Sequence, residues 1–259
     1  MKLKDIIDII ESRAPLRYQD DFDNSGLQVG SPGDEVHRVL VCLDVTETVM
    51  DEAERLGCDL VLSHHPLIFK ALRQVGDATY QQRCAVRAVR SGIAVYSAHT
   101  SLDNAPHGVN HKIAELLGLE RLGWLSPRPD GESGSGLVGE LREELPYGEF
   151  LESVRAKFGV KALRCSRADA LSPIRKVALC GGAGAFLLPQ AIASGADCFV
   201  CGEFHYHDYF ENAGVRLVEL GHYQSEQYTQ QLLRDILHEA FPTLETVLTG
   251  IDTNPIDYM

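Results

Sequence analysis

Residues 60–69 read LVLSHHPLIF, which sets His64 beside His65 where an apolar run meets Pro66. Imidazole binds divalent metals and moves protons near neutral pH, so an adjacent pair is a chemical signal. Two later stretches carry matching chemistry. IAVYSAHTSLDN brings His99 and Asp103 to the end of a strand-like run, and LGHYQSE carries His222 four residues before Glu226. That spacing stacks His222 and Glu226 on one face of a helix. His64, His65, Asp103, His222 and Glu226 are thus five candidate metal ligands. On one ion they would nearly saturate it. Shared between two divalent ions, with a carboxylate bridging, they leave each ion open positions for water, as catalysis requires. Imidazole and carboxylate without thiolate suit Zn, Mn, Fe or Ni and do not choose among them.

The other histidines divide by context. His99 reads as a residue that hydrogen-bonds a ligand or shuttles protons rather than ligating directly. In GEFHYHDYF, His205 and His207 alternate as if on one strand face lining the same cleft, which makes His205 a second proton-shuttle candidate. His37, His107, His111 and His238 read as ordinary surface residues. GGAGAF (181–186) follows a strand but lacks the Lys and Ser/Thr of a phosphate loop, and reads as a tight turn between strand and helix.

The elements that must position these residues alternate between strand and helix, the signature of an α/β fold. RVLVCLDV and CDLVLSHH are apolar strands, with the helical stretch TETVMDEAERLG between them. QQRCAVRAVRSG is a further helix, ended by Gly92, and IAVYSAHT a further strand. The second half repeats this order in KVALCGG, AFLLPQAIASG, ADCFVCGEFHYH and VRLVELGH, the last running into one long amphipathic helix from His222. At a constant offset of 138 residues, Val39 aligns with Val177, Cys42 with Cys180, Gly57 with Gly195 and Asp59 with Asp197. The chain therefore reads as two similar α/β domains made by internal duplication. Ser63, His64 and His65 fall opposite Cys201, Gly202 and Glu203. A histidine pair demanded by the fold would recur, so this one belongs to a site. Pro66 keeps His65 out of helical dihedrals, and strand carboxyl ends are where open α/β sheets gather ligands. SPRPDGESGSG (126–136) is the most linker-like stretch and places the domain boundary near residue 128. Residues 1–127 would then carry His64, His65 and Asp103, and residues 128–259 would carry His222 and Glu226.

Composition narrows the partners. Of 259 residues 44% are hydrophobic, enough to bury a core, and the formal net charge is -13 without a Lys/Arg cluster. Duplex nucleic acid, bound through phosphate neutralisation, is therefore an unsuitable partner, as is a ring threaded on DNA. Cations and small substrates suit this balance. The seven cysteines include no zinc-finger pair, and Cys198 and Cys201 lie in a strand-like run, so all read as reduced thiols in a cytoplasmic protein. The N-terminus reads as an amphipathic helix with Leu3, Ile6, Ile7 and Ile10 on one face, and no run is long enough to span a membrane.

DFDNSGLQVG, CDLVLSHHPLIF, AHTSLDNAPHGVN, GADCFVCGEFHYH and LGHYQSE, in this order, resemble the NIF3-like dinuclear metal-centre family, whose members include type 2 GTP cyclohydrolase I homologues. The resemblance spans nearly the whole chain and puts the family's metal ligands on His64, His65, Asp103, His222 and Glu226. It implies mixed sheets flanked by helices, two metal ions between the domains and a toroidal homohexamer. It also implies a metal-dependent hydrolase acting on a nucleotide-like small molecule, with hydrolytic opening of the GTP purine ring as the proposed reaction. A non-enzymatic metal-binding scaffold or regulatory interaction protein is the alternative. The family typically has Trp where this chain has Phe22, which touches no ligand position.

Overall fold

The computed structural model describes residues 1–257 and Met259. In chain order the first elements are α1 (Leu3–Arg13), β1 (Gly26–Val29), β2 (Arg38–Cys42), α2 (Glu47–Leu56), β3 (Leu60–Ser63), α3 (Tyr80–Ser91), β4 (Ala94–Ser97) and α4 (Thr100–Asp103). There follow α5 (Val109–Leu117), β5 (Leu119–Pro127), β6 (Gly134–Pro146), α6 (Tyr147–Phe158), β7 (Arg164–Cys165) and β8 (Pro173–Cys180). The chain closes with α7 (Leu188–Ala193), β9 (Cys198–Cys201), β10 (Arg216–Glu219), α8 (His222–Glu226), α9 (Thr229–Ala240) and β11 (Glu245–Leu248). Two compact units result, Met1–Leu102 together with Thr229–Pro255, and a second built mainly from Asp103–Tyr228.

In the first unit the sheet runs β1-β4-β3-β2-β11, with β1 antiparallel to β4 and every other pair parallel. All residues of β3 and β4 are buried, which is why these strands read as unbroken apolar runs rather than alternating ones. Val49, Met50 and Ala53 of α2 and Cys84, Ala85 and Ala88 of α3 pack against Leu40, Val61 and Val95 of the strands. Each such large apolar side chain contributes about 1.5–3 kcal/mol by leaving water. The threonine caps Thr46 and Thr79 accept from Val49 N and Gln82 N and start these two helices. On its own, α1 buries Leu3, Ile6 and Ile10, and it packs with α9.

The second unit's sheet runs β5-β6-β8-β9-β10-β7 and is parallel only across β8, β9 and β10. Its central strand–helix–strand repeats the first unit's down to single hydrogen bonds. Asp59 accepts from His37 N and Arg38 N at 2.7 and 3.0 Å, and Asp197 accepts from Arg175 N and Lys176 N at 2.9 and 2.8 Å. The Arg38 guanidinium donates to Leu56 O, and the Lys176 ammonium to Ser194 O at 2.5 Å. Gly57 and Gly195 both take a left-handed φ, 65° and 71°, where a side chain would be strained. Every one of these pairs is separated by the same 138 residues. Both sheets are mixed and flanked by helices, as expected.

Three expectations need correction. The boundary near residue 128 falls inside the β5–β6 hairpin, because the Pro/Gly/Ser-rich stretch is a turn: Asp130 accepts from Glu132 N and Ser133 N, and Arg128 N donates to Ser133 O. The units instead divide after Leu102, and residues 229–255 return to the first. The helix expected from His222 onward is two helices, α8 and α9, with the change of unit between them. The strand expected through His205 and His207 stops at Cys201, and a 3-10 turn spans Tyr206–Phe210, its start fixed by Asp208 accepting from His205 N at 2.7 Å. Among the described residues all seven cysteines are free thiols, six buried and Cys165 exposed, and no helix is long and apolar enough to cross a membrane.

The repeated aspartate is a stability element. Asp59→Ala and Asp197→Ala should each cost about 1–2 kcal/mol by orphaning two backbone donors, measured as a shift in the urea midpoint with unchanged slope. A shift within error for both would refute the role.

Candidate metal centre

Strand register builds the first half of the site. Cys42 pairs with Ser63 and Ser63 with Ser97, so the residues just past the strand ends, Asp44, His64, His65, Ala98 and His99, share one sheet edge. His64 is fully buried, and its Nδ1 donates to Ala98 O at 3.0 Å. His65 Nδ1 donates to Asp44 Oδ1 at 2.7 Å. His99 Nδ1 donates to Asp23 Oδ1 at 2.7 Å. With an acceptor on each Nδ1, the proton sits there and Nε2 is the lone-pair nitrogen, the tautomer a metal ligand requires. The chain bends at His64–His65, which lets neighbouring residues of an extended segment serve one place: their ring centroids are 4.8 Å apart. His99 stands 5.3 Å from one ring and 5.5 Å from the other. The ligand-capable atoms of all three lie within 4.8 Å of one another.

The carboxylates behind the imidazoles are ionised for a physical reason. Burial pushes the Asp44 carboxyl up, but the hydrogen bond and charge of His65 and the Thr253 hydroxyl at 2.7 Å outweigh it and hold the group below its ordinary range. At Asp23 burial likewise opposes ionisation. His99, Ser25 and Thr100 outweigh it more strongly, with contacts of 2.6 Å from both hydroxyls, and hold the carboxyl far below the usual range.

In the second unit, α8 places His222 and Glu226 one turn apart with Nε2 and Oε2 3.2 Å apart, while Glu203 accepts from His222 Nδ1 at 3.0 Å. Glu226 is buried, and its oxygen also lies within 4.8 Å of a carboxylate oxygen of Asp103. Asp103 closes α4, and its main-chain oxygen accepts from Asn110 Nδ2 at 3.0 Å; Asn110 Oδ1 in turn accepts from Gly181 N at 3.0 Å. The GGAGAF turn makes the room. At Gly182, with φ of +56°, a Cβ would fall onto Glu226 Oε1, and at Gly202 it would fall onto Gly182 O. Ser225 Oγ accepts from Gly182 N at 3.0 Å and donates to His222 O at 2.7 Å, which locks the glycine turn to α8.

The first unit therefore brings together His64, His65 and, beside them, His99, and the second brings together Asp103, His222 and Glu226. His205 is exposed and starts a 3-10 turn, while His111, expected at the surface, is half-buried with its ring 5.1 Å from Trp124. Asp23, Asp44 and Glu203 escaped the sequence reading, although the parallel register puts Asp44 level with His65. In each unit the imidazoles are turned by acceptors, and in the second His222 stands beside a buried carboxylate that a glycine makes room for; these donors fit a divalent metal without thiolate.

The whole of residues 1–255 matches the family described as Duf34/NIF3 (NGG1p interacting factor 3). The chain belongs to this family. It is 36% identical over 230 residues to a GTP cyclohydrolase 1 type 2 homolog of Clostridium perfringens, covering 87% of each chain. It is 30% identical over 249 residues to a GTP cyclohydrolase 1 type 2 of Helicobacter pylori, covering 95% of each. The fold is similar to that of the Bacillus cereus protein related to NIF3, with a TM-score of 0.91 and 24% identity, covering 100% of this chain and 99% of that one. Every motif of the Duf34/NIF3 resemblance lies within the matched span.

Two substitutions separate donors from the groups that orient them. Asp44→Asn should weaken metal binding about 10–100-fold by removing the charge behind His65. Gly182→Ala should do the same by displacing Glu226, with the fold retained by circular dichroism. Calorimetric metal titration reads both, and wild-type affinity in either variant would contradict the assignment.

Proposed function

We propose that His64, His65, Asp103, His222 and Glu226 hold two divalent ions, and that the protein is a metal-dependent hydrolase of the GTP cyclohydrolase 1 type 2 kind. The observation that carries this reading is the trio of imidazoles, each with Nδ1 engaged by its own acceptor and their ligand-capable atoms within 4.8 Å of one another. The names of the Clostridium perfringens and Helicobacter pylori relatives support the substrate class, a nucleotide-like small molecule such as GTP. Zn, Mn, Fe and Ni all suit the donors. When bound, such ions supply Lewis acidity and make water more acidic.

The chain's own residues would do the rest. Asp44 and Ala98 O keep His65 and His64 in the ligating tautomer. Glu226 would bring a buried negative charge to the ions beside His222. His99, backed by the Asp23 carboxylate, would accept a proton from the attacking water at Nε2 and return it to the leaving nitrogen. For GTP the attacked carbon is C8 of the guanine ring; two successive hydrolyses break its two C–N bonds and release it as formate. The free thiols support a cytoplasmic setting, and self-assembly into a homohexamer belongs to the same proposal.

A second reading, a metal-binding scaffold or regulatory interaction protein, draws on Tyr206 and Phe210, which are exposed and in contact with one another at 5.3 Å. One set of measurements separates the two. Metal-stripped protein should take up about two ions per chain, and Glu226→Ala should lose at least one. The loaded wild type should release formate from GTP, and His64→Ala should not. A fully loaded wild type that releases none, together with a partner captured only while Tyr206 and Phe210 are intact, would replace the hydrolase reading with the scaffold.

A further inference from the structure

Two phenylalanines near His99 are exposed. Phe22 is 65% exposed and Phe69 41% exposed, each a large apolar ring held in water. Their centroids are 6.3 Å apart at 68°, so one meets the other edge-on while both rings keep surface in water. Phe69 also stands edge-on to His99, with centroids 5.9 Å apart at 87°. Phe69 therefore adjoins the donor set directly, and Phe22 reaches it through Phe69.

The loops beneath them are fastened. Asn24 Nδ2 donates to Ile68 O at 2.7 Å and to Gln28 Oε1 at 3.2 Å, Gln28 Oε1 also accepts from Ile68 N at 3.2 Å, and Gln28 Nε2 donates to Asn24 O at 2.7 Å. Between Phe22 and Asn24, Asp23 grips His99. The segment DFDNSGLQ thus ties the Phe22 loop, the Phe69 loop and one imidazole into a single support. Such cross-bracing holds exposed rings where solvent alone would not keep them, and pre-organisation of this kind lowers the cost of binding.

The size and nature of the patch select its occupant. A stable protein interface covers about 800 Å² on each side, far more than two rings provide. Open aromatic faces recognise a flat π-system by stacking, which tolerates different rings because each has a π-face. We infer that Phe22 and Phe69 seat the planar heteroaromatic ring of the substrate beside His64, His65 and His99. The inference rests on the proposed hydrolase reading and gives that site its specificity for a ring.

The test uses the full-length, metal-loaded protein and the fluorescent nucleoside 2-aminopurine riboside, whose emission falls on stacking. Wild type should quench it saturably. The Phe22→Ala/Phe69→Ala variant should bind it about tenfold or more weakly, the loss typical of a removed stacking partner. Phe22→Trp should retain the binding, and elemental analysis should find the same metal content in all three. No saturable quenching by loaded wild type, or equal affinity in the double variant, overturns the platform. The underlying reading fails separately. Quenching that needs both rings, in a wild type that releases no formate from GTP, keeps the platform and removes the hydrolase. Formate release by the double variant with unchanged KM for GTP keeps the hydrolase and removes the platform.

Discussion

Three parallel strands held in one register govern the first unit's chemistry. With Cys42 beside Ser63 beside Ser97, each next residue along each strand lands at a predictable place on one edge, and Asp44, His64, His65 and His99 appear there without any long loop. The edge is also where backbone donors and acceptors run out of partners, and the site uses that fact. Ala98 O, past the end of β4, becomes the acceptor that turns His64. A slip of one residue in either pairing would exchange the sides of the sheet on which these groups emerge, so the register is a functional constraint as well as a structural one.

The duplication shows how one scaffold came to present two unlike clusters of side chains. Where the first copy has Asp44, His64 and His65, the second has Gly182, Gly202 and Glu203. The first copy supplies imidazoles from the strand end and a carboxylate to orient them. The second has glycine at two of those positions: the space at Gly182 takes the carboxylate of Glu226 from α8, and the space at Gly202 takes the Gly182 backbone and the Ser225 hydroxyl. Glu203, opposite His65, orients His222 instead of ligating. The shared parts, such as Asp59 and Asp197, fasten strand starts far from this edge, which explains why they could stay alike while the opposite ends diverged.

Much of this was legible in the sequence, for definable reasons. Buried parallel strands announce themselves as apolar runs, and gap-free repetition of Gly57 and Asp59 at Gly195 and Asp197 exposed the duplication. His222 and Glu226 were readable because helical spacing is local. Asp23 and Asp44 were not, since an aspartate that orients a distant ring looks like any turn aspartate until the register is known. The unit boundary was misplaced because Pro, Gly and Ser mark a hairpin as readily as a linker, and the Asp130 turn is such a hairpin. Likewise the tyrosines and histidines of GEFHYHDYF alternate like a strand, yet Asp208 captures the His205 N–H and winds the segment into a 3-10 turn.

The return of residues 229–255 to the first unit has a bearing on how the protein is made. β11 completes the first sheet beside β2, and Thr253 supplies the hydroxyl that holds Asp44. During synthesis the N-terminal third leaves the ribosome early, but the strand and the hydroxyl it lacks emerge more than a hundred residues later. His65, oriented by Asp44, therefore acquires its final support only after the second unit's chain has been translated. Assembly order is thus written into the connectivity: the first sheet and the support of Asp44 are complete only once residues 245–253 have been made.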